Sequence, residues 1–312
     1  MKGKHVMITG GAGFIGSNMV EMLLEENDVT VIDNLSITDD RYIRPFMGRK
    51  NFNFIKEDIT ESVTPGEYDA VVHLAADSDV RNGSQDPTID LRSNVIGTVN
   101  VLEMMRKNDI KDILFASSST IYGEAKIIPT PENYGPLLPI SSYGASKLSA
   151  EAFISSYSHY YGIDAKILRF ANIVGKNSTH GVIFDFINKL KKNSSELEVL
   201  GDGTQAKSYM HVTDCINSMF YVYEKVKGTD VFNLGNDDVT NVDTIARYVI
   251  EAMGLKNTKI VHRGGYMGRG WPGDVKYTRM DVKKLKETGW KNRYSSDEAV
   301  KVAIEEIKRQ IL

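Results

Sequence analysis

Val6-Met7-Ile8-Thr9-Gly10-Gly11-Ala12-Gly13-Phe14-Ile15-Gly16 passes from an apolar, strand-like run into a glycine-rich turn and then into a helical pattern. The glycines at 10, 13 and 16 give a GxxGxxG spacing. In a strand-turn-helix unit that holds a dinucleotide each has its own task. Gly10 permits the tight turn, Gly13 lets the backbone approach a pyrophosphate, and Gly16 allows close helix packing, while the helix N-terminus offers free N–H groups and a positive dipole end. Asp33 closes the next apolar run. A carboxylate there accepts hydrogen bonds from the adenosine ribose hydroxyls and repels a 2′-phosphate, which favours NAD over NADP. Asp58, just after the third run, is placed either to hold the adenine edge or to cap a strand end.

Outward from this turn, short apolar runs at 6–9, 29–32, 52–55, 70–74, 113–116 and 165–168 alternate with amphipathic stretches at 14–26, 87–107 and 141–161. Near-continuous hydrophobicity marks strands buried on both faces, hence a parallel sheet, and the βαβα rhythm predicts a doubly wound (Rossmann) α/β fold. After about residue 170 the rhythm loosens. Helical patterns at 182–192, 212–227, 241–253 and 297–312 are separated by glycine-rich loops, which predicts a smaller, loop-rich α/β cap. The expected division is a dinucleotide-binding domain of residues 1–170 plus about 211–236, and a substrate-binding cap of about 171–210 plus 237–312. A cleft between them is the natural ligand site.

With 312 residues the chain is long enough for a large core, and 38 basic against 41 acidic residues give a net charge of −3. That balance supplies no electrostatic reason for nucleic-acid binding. No stretch approaches the roughly 18 to 20 uninterrupted apolar residues of a membrane helix, and the opening Met1-Lys2-Gly3-Lys4 reads as carrying no export signal. Cys215 is the one cysteine, so intramolecular disulfides and CxxC chemistry are excluded and a reducing, cytoplasmic setting fits. The six histidines show no metal-ligand spacing, and no metal is expected.

Tyr143-Gly144-Ala145-Ser146-Lys147 places a phenol and an ammonium four residues apart on one helix face. A nearby cation lowers a phenol pKa from about 10 toward working pH, making Tyr143 a usable acid and base, and Lys147 can also hold a nicotinamide ribose. Upstream, Ser117-Ser118-Ser119-Thr120 sets hydroxyls at the C-terminal end of a buried strand, where doubly wound sheets bind ligands.

Together these motifs resemble the extended short-chain dehydrogenase/reductase family, whose members act on nucleotide-linked sugars. The resemblance covers nearly the whole chain: GGAGFIGS at 10–17, DNLS at 33–36, HLAA at 73–76, SNVIGTVNVLEM at 93–104, SSSTIYGE at 117–124, YGASK at 143–147, LRFANIVG at 168–175, HVTD at 211–214 and FNLG at 232–235. Within the family it is most like the UDP-glucose 4-epimerases. The resemblance implies Ser118 as the catalytic hydroxyl, Tyr143 as acid/base and Lys147 as its electrostatic partner. It assigns NAD contacts to Gly10, Gly13, Phe14, Ile15, Gly16, Asp33, Asn34, Leu35, Ser36, Asp58, Ile59, Leu74, Ala75, Ala76, Asn94, Ser117 and Phe170. It also implies a homodimer through a four-helix contact. The implied reaction is C4 inversion of a UDP-hexose through a transient 4-keto sugar.

Asn172, Val182 and Ile183 match nucleotide-sugar contacts, and Asp274 belongs to the same expected set. Two family arginines are absent. One is Lys207, a point charge in place of a bidentate fork. The other is Trp271 in Arg269-Gly270-Trp271-Pro272-Gly273-Asp274, where Arg269 either supplies the missing charge or is a solvated loop residue. Ser119 and Thr120 occupy the places of the Asp-Glu pair of sugar 4,6-dehydratases, and neither can serve as the acid. Thr278, a small residue at the gate for C2 groups, would admit N-acetylated sugars. The alternatives are a UDP-uronate 4-epimerase, a 4,6-dehydratase, a keto-sugar reductase and a non-catalytic NAD sensor.

Overall fold

The computed structural model describes residues 1–271 and 273–312; Pro272, in the loop quoted above, lies outside the described residues. The strands are β1 (His5–Thr9), β2 (Asp28–Asp33), β3 (Phe52–Lys56), β4 (Ala70–His73), β5 (Asp112–Ser118), β6 (Asp164–Phe170), β7 (Asn172–Val174), β8 (Glu196–Leu200), β9 (Ala206–Lys207), β10 (Tyr209–His211), β11 (Asp230–Leu234), β12 (Thr240–Asn241), β13 (Lys259–Arg263) and β14 (Tyr277–Thr278). Seven of them form the central sheet in the order β11-β6-β5-β4-β1-β2-β3, every neighbour parallel. The chain winds outward from β1 through β2 and β3, then returns to the other side of β1 with β4. This reversal opens a crevice at the C-terminal ends of β1 and β4.

The helices are α1 (Phe14–Leu23), α2 (Asn82–Gln85), α3 (Pro87–Asp90), α4 (Gly97–Lys107), α5 (Ser142–Tyr161), α6 (Val182–Lys192), α7 (Val212–Lys225), α8 (Val242–Ala252), α9 (Lys283–Glu287) and α10 (Ser296–Ile311). Side chains alternate along each strand, so Val6 and Ile8 join one core with Met19 and Val20 of α1 and Ile216 and Met219 of α7. Met7 faces the opposite core, with Val101, Leu102 and Met105 of α4 and Ala150 and Ile154 of α5. Two covered faces explain why the strands read as unbroken apolar runs. A third core gathers α6, α8 and α10 around Leu197 and Val199 of β8. Ser295 and Glu298 form a reciprocal capping box that starts α10.

The helix expected at 87–107 runs through without a break, but its winding changes in the middle. Residues Leu91–Ile96 adopt a π-helical turn between α3 and α4. Asn94 sits in that turn, buried, with its side chain accepting from Asp77 N at 2.9 Å and donating to Ser146 Oγ at 2.9 Å and Asp90 Oδ1 at 3.3 Å. Reaching three polar partners from one turn is the physical occasion for the wider winding. Among the described residues no helix is long and apolar enough to cross a membrane.

A buried ion pair ties α5 to the sheet. Arg169 of β6 grips Glu151 of α5 bidentately, Nε to Oε1 at 3.0 Å and Nη2 to Oε2 at 2.7 Å, and both side chains are less than a tenth exposed. Ser117 of β5 also donates to Glu151, and Arg169 Nη1 reaches the Tyr122 hydroxyl at 2.8 Å and the Glu132 carbonyl at 2.8 Å. Every polar group in the cluster is paired, so its charges are tolerated; removing one member strands the rest. Glu151→Ala is expected to lower unfolding free energy by about 3 kcal/mol or more. Urea denaturation measures this directly, and a loss below about 1 kcal/mol would show that water screens Arg169.

Candidate active site

The C-terminal ends of β1, β4 and β5 open into a cleft of about 800 Å³ that runs to the third core. Its floor is the turn between β1 and α1. Gly10 has φ of +72°, and a Cβ on it would lie 2.6 Å from Ala75 N, so only glycine permits this approach to the end of β4. A Cβ on Gly16 would meet Gly10 O at 2.2 Å, so Gly16 packs α1 against its own preceding loop rather than against the sheet. Gly13 stands at the N-cap without a side-chain cap, which leaves the first-turn N–H groups for a ligand.

Asp33 holds this loop from β2. Its Oδ2 accepts from Ala12 N at 3.0 Å and its Oδ1 from Leu35 N at 2.8 Å. Burial pushes its carboxyl above the ordinary value, with those two bonds opposing. Asp58 Oδ2 accepts from Asn34 Nδ2 at 2.9 Å and Oδ1 from Thr60 N at 2.9 Å, linking the ends of β2 and β3. Burial raises its carboxyl, but these bonds prevail and hold it below the usual range. Unused carboxylate lone pairs, the glycine cradle and the uncapped helix suit a dinucleotide.

Ser118, Tyr143 and Lys147 converge on the cleft wall. Ser118 ends β5 and accepts from Thr120 N at 3.2 Å and Thr120 Oγ1 at 2.9 Å, which leaves its own proton free to donate. Ser141 caps α5 by accepting from Gly144 N, and the helix sets Tyr143 and Lys147 on one face. Lys147 is buried; its Nζ donates to Ala116 O at 2.8 Å and lies 5.9 Å from the Tyr143 ring centroid. Burial pushes this ammonium down to about 8, with Glu151 and Asp90 opposing. Burial pushes the Tyr143 phenol up to about 12, opposed by the Ser118 hydroxyl and reinforced by Asp90 and Asp77. The expectation that Lys147 draws the phenol toward neutral pH is therefore corrected. In the chain alone, desolvation and two carboxylates outweigh the hydrogen bond from Ser118.

At the cap end, Lys207 Nζ bonds Asp274 Oδ1 at 2.5 Å and lies 5.7 Å from the centre of the Trp271 ring. Asp274 Oδ2 accepts from Gly270 N at 3.1 Å. Asn172, Val182, Ile183 and Thr278 line the same cleft.

Most expected contact residues line the cleft, including Phe14, Ile15, Ser36, Ile59, Leu74, Ala76, Ser117 and Phe170. Three do not. Leu35, at φ of +59°, packs against the core beneath the first helix. Asn94 is consumed by the π-turn network described above. Arg269 turns to Glu124 and to the Asp274 carbonyl, the latter at 3.2 Å, which leaves its charge paired behind the cleft wall. Asp77 and Gln205 line the cleft without having been singled out. An acid directly after the His73-Leu74-Ala75-Ala76 strand end was the available signal for Asp77; nothing local marked Gln205. Among the described residues no group of three or more His, Cys, Asp or Glu is arranged to hold a metal.

The model of the NAD dependent epimerase/dehydratase family matches residues 6–235. A curated relative named a putative UDP-glucose 4-epimerase, from Methanocaldococcus jannaschii, is 34% identical over 97% of this chain and 98% of its own length. UDP-glucuronic acid decarboxylase 3 of Arabidopsis thaliana is 31% identical over 98% of this chain and 90% of its own. A solved UDP-galactose 4-epimerase superposes with a TM-score of 0.87 at 36% identity, covering 99% of this chain and 100% of that one. With the parallel sheet, the glycine cradle and the family match in agreement, the chain belongs to the NAD dependent epimerase/dehydratase family.

Proposed function

We propose that the protein inverts the C4 configuration of a UDP-linked hexose through a transient 4-keto sugar, using one NAD held through the cycle. The observation that carries this reading is the meeting of Ser118, Tyr143 and Lys147 in one cleft with the glycine cradle. NAD, when bound, takes up and returns the hydride at C4. The protons are moved by the chain: Tyr143 accepts the C4 hydroxyl proton and later gives it back, and Ser118 donates a hydrogen bond to the same oxygen. Pushed up to about 12, the phenol is protonated near neutral pH and cannot accept a proton until it ionises. Positive charge brought close to it, from Lys147 and from the oxidised nicotinamide, favours the phenolate. Gly10, Gly13, Gly16 and Asp33 would hold the cofactor, and Lys147 would hold its nicotinamide ribose.

Inversion further requires a firm hold on the nucleotide and a loose one on the sugar, because a tightly held ketone could not present its other face. We assign the nucleotide to the cap end, at Asn172, Val182, Ile183, Lys207 and Asp274, and the sugar to the space between it and Tyr143. A second reading, decarboxylation of a UDP-uronic acid, is favoured by the plant relative. Against it stands the pairing of the cleft's cations. Arg81 is bound to Asp79 through Nη2 at 2.6 Å, and Lys189 to Glu198 at 3.0 Å, so a sugar carboxylate meets cations already neutralised. The pairing of two subunits through α4 and α5 is proposed on the same resemblance. Phe153, Tyr160 and Tyr161 of α5 are exposed apolar surface consistent with it.

Two outcomes follow. Purified protein given UDP-galactose, UDP-N-acetylgalactosamine or UDP-galacturonate, without added NAD, is expected to invert at least one at C4 by NMR. Tyr143→Phe should slow that reaction by about a hundredfold or more. Failure with all three, even after NAD is supplied, would sink the epimerase reading.

The second concerns Lys147, whose folded pKa near 8 lies below the ordinary lysine value of 10.5. Burial of the charged form costs stability at every pH below about 8, and the cost fades as pH rises from there to 10.5, because only the unfolded chain then carries the proton. Lys147→Met is thus expected to be inactive with NAD supplied yet, compared as NAD-free proteins, about 1–3 kcal/mol more stable than wild type at pH 7. The gap should close toward pH 10.5 in denaturation curves; a gap independent of pH would contradict the buried-charge account.

A further inference from the structure

The cap end of the cleft has an unusual charge arrangement for a site meant to hold an anion. Each of its basic side chains already has an acidic partner: Lys207 with Asp274, Lys189 with Glu198, and Arg269, just behind the wall, with Glu124. What the wall offers instead is neutral. Trp271 lines the cleft, and its indole Nε1 is buried without a hydrogen-bond partner among the described residues. The amide oxygen of Gln205, on the same wall, is likewise buried and unpaired, while its amide nitrogen is spent on the Leu200 carbonyl at 3.0 Å. Unpaired polar atoms in a folded interior cost free energy unless a ligand completes them.

The loop that carries the indole is also held in place. Asp274 accepts from Gly270 N, Arg269 Nη1 donates to the Asp274 carbonyl, and Asp274 N donates to Trp271 O at 3.2 Å. The Lys207 ammonium rests 5.7 Å from the ring centre. A donor pinned by its own loop, beside an ammonium, suits a group that only accepts hydrogen bonds. The unpaired Gln205 oxygen, also on this wall, would accept from a donor. A nucleoside diphosphate supplies both, through its phosphate oxygens and through its ribose hydroxyls or base N–H.

We propose that Trp271 contacts substrate directly, its indole N–H donating to a diphosphate oxygen as a neutral donor where a cation would otherwise stand. The inference rests on the UDP-sugar reading above. It makes nucleotide binding depend on hydrogen-bond geometry more than on net charge, so affinity should fall only shallowly with salt.

The test is titration calorimetry of UDP with NAD-loaded protein at low and high sodium chloride, using wild type, Trp271→Phe and Trp271→Arg, with thermal melting to establish that each variant is folded. Trp271→Phe keeps a ring for Lys207 but lacks the N–H, and should bind UDP about tenfold more weakly or worse. Trp271→Arg restores a donor with charge. It should bind better than the Phe variant and lose affinity more steeply as salt rises. A purely packing role predicts the opposite order, since a flat apolar ring replaces indole better than a guanidinium does. Equal binding by wild type and the Phe variant, or weaker binding by Arg than by Phe, overturns the role of Trp271 while leaving the UDP-sugar reading intact. Wild type that retains NAD but does not bind UDP overturns that reading, and this inference with it.

Discussion

The arrangement depends on one backbone-to-backbone approach. Where β1 turns into α1, the missing side chain of Gly10 lets the loop lie against Ala75 at the end of β4. That contact lies where the winding of the sheet reverses, between the ends of the two strands that flank the crevice. Asp33 fixes the other side of the same loop through Ala12 and Leu35. The carboxylate proposed to meet a ribose is thus also a structural clamp. The two roles are compatible because each oxygen has given up only one of its lone-pair directions.

Further along the cleft the constraint is electrostatic. Lys147 enters a region where its charge is poorly solvated, and the Glu151–Arg169 pair beneath it is already balanced. The ammonium therefore sits near its proton-loss threshold while the phenol beside it resists ionisation. On the reading proposed above, acid/base competence is tied to occupancy, because positive charge brought close to the phenol favours its ionisation.

What could be read without coordinates divides along physical lines. Features fixed by nearest neighbours were legible: the GxxGxxG turn, the double-faced strands, and the i, i+4 placement of Tyr143 and Lys147. Features set by distant partners were not. Asn94 matched a cofactor position, but its side chain is claimed by Asp77, Ser146 and Asp90 from three segments, and the claim winds the helix open. Leu35 matched too, and its side chain, at positive φ, is half-buried against the core. Arg269 was the natural candidate to replace a missing charge, and Glu124, 145 residues away, took it. No spacing rule encodes such competition, because its outcome depends on which acid the fold delivers.

The same competition bears on the chemistry. Unpaired cations along the whole wall would hold the diphosphate and the sugar alike, and a sugar pinned through its hydroxyls by free ammonium or guanidinium groups cannot rotate. Pairing Arg81, Lys189 and Lys207 with carboxylates lowers the field across the cleft while leaving directional donors where the nucleotide is expected. Directional bonds fall off steeply with distance and angle, whereas Coulomb attraction between charges does not. A grip built from the former is therefore confined to the atoms it touches. Confinement of that kind is what a reaction needs when one half of the substrate must stay and the other half must turn.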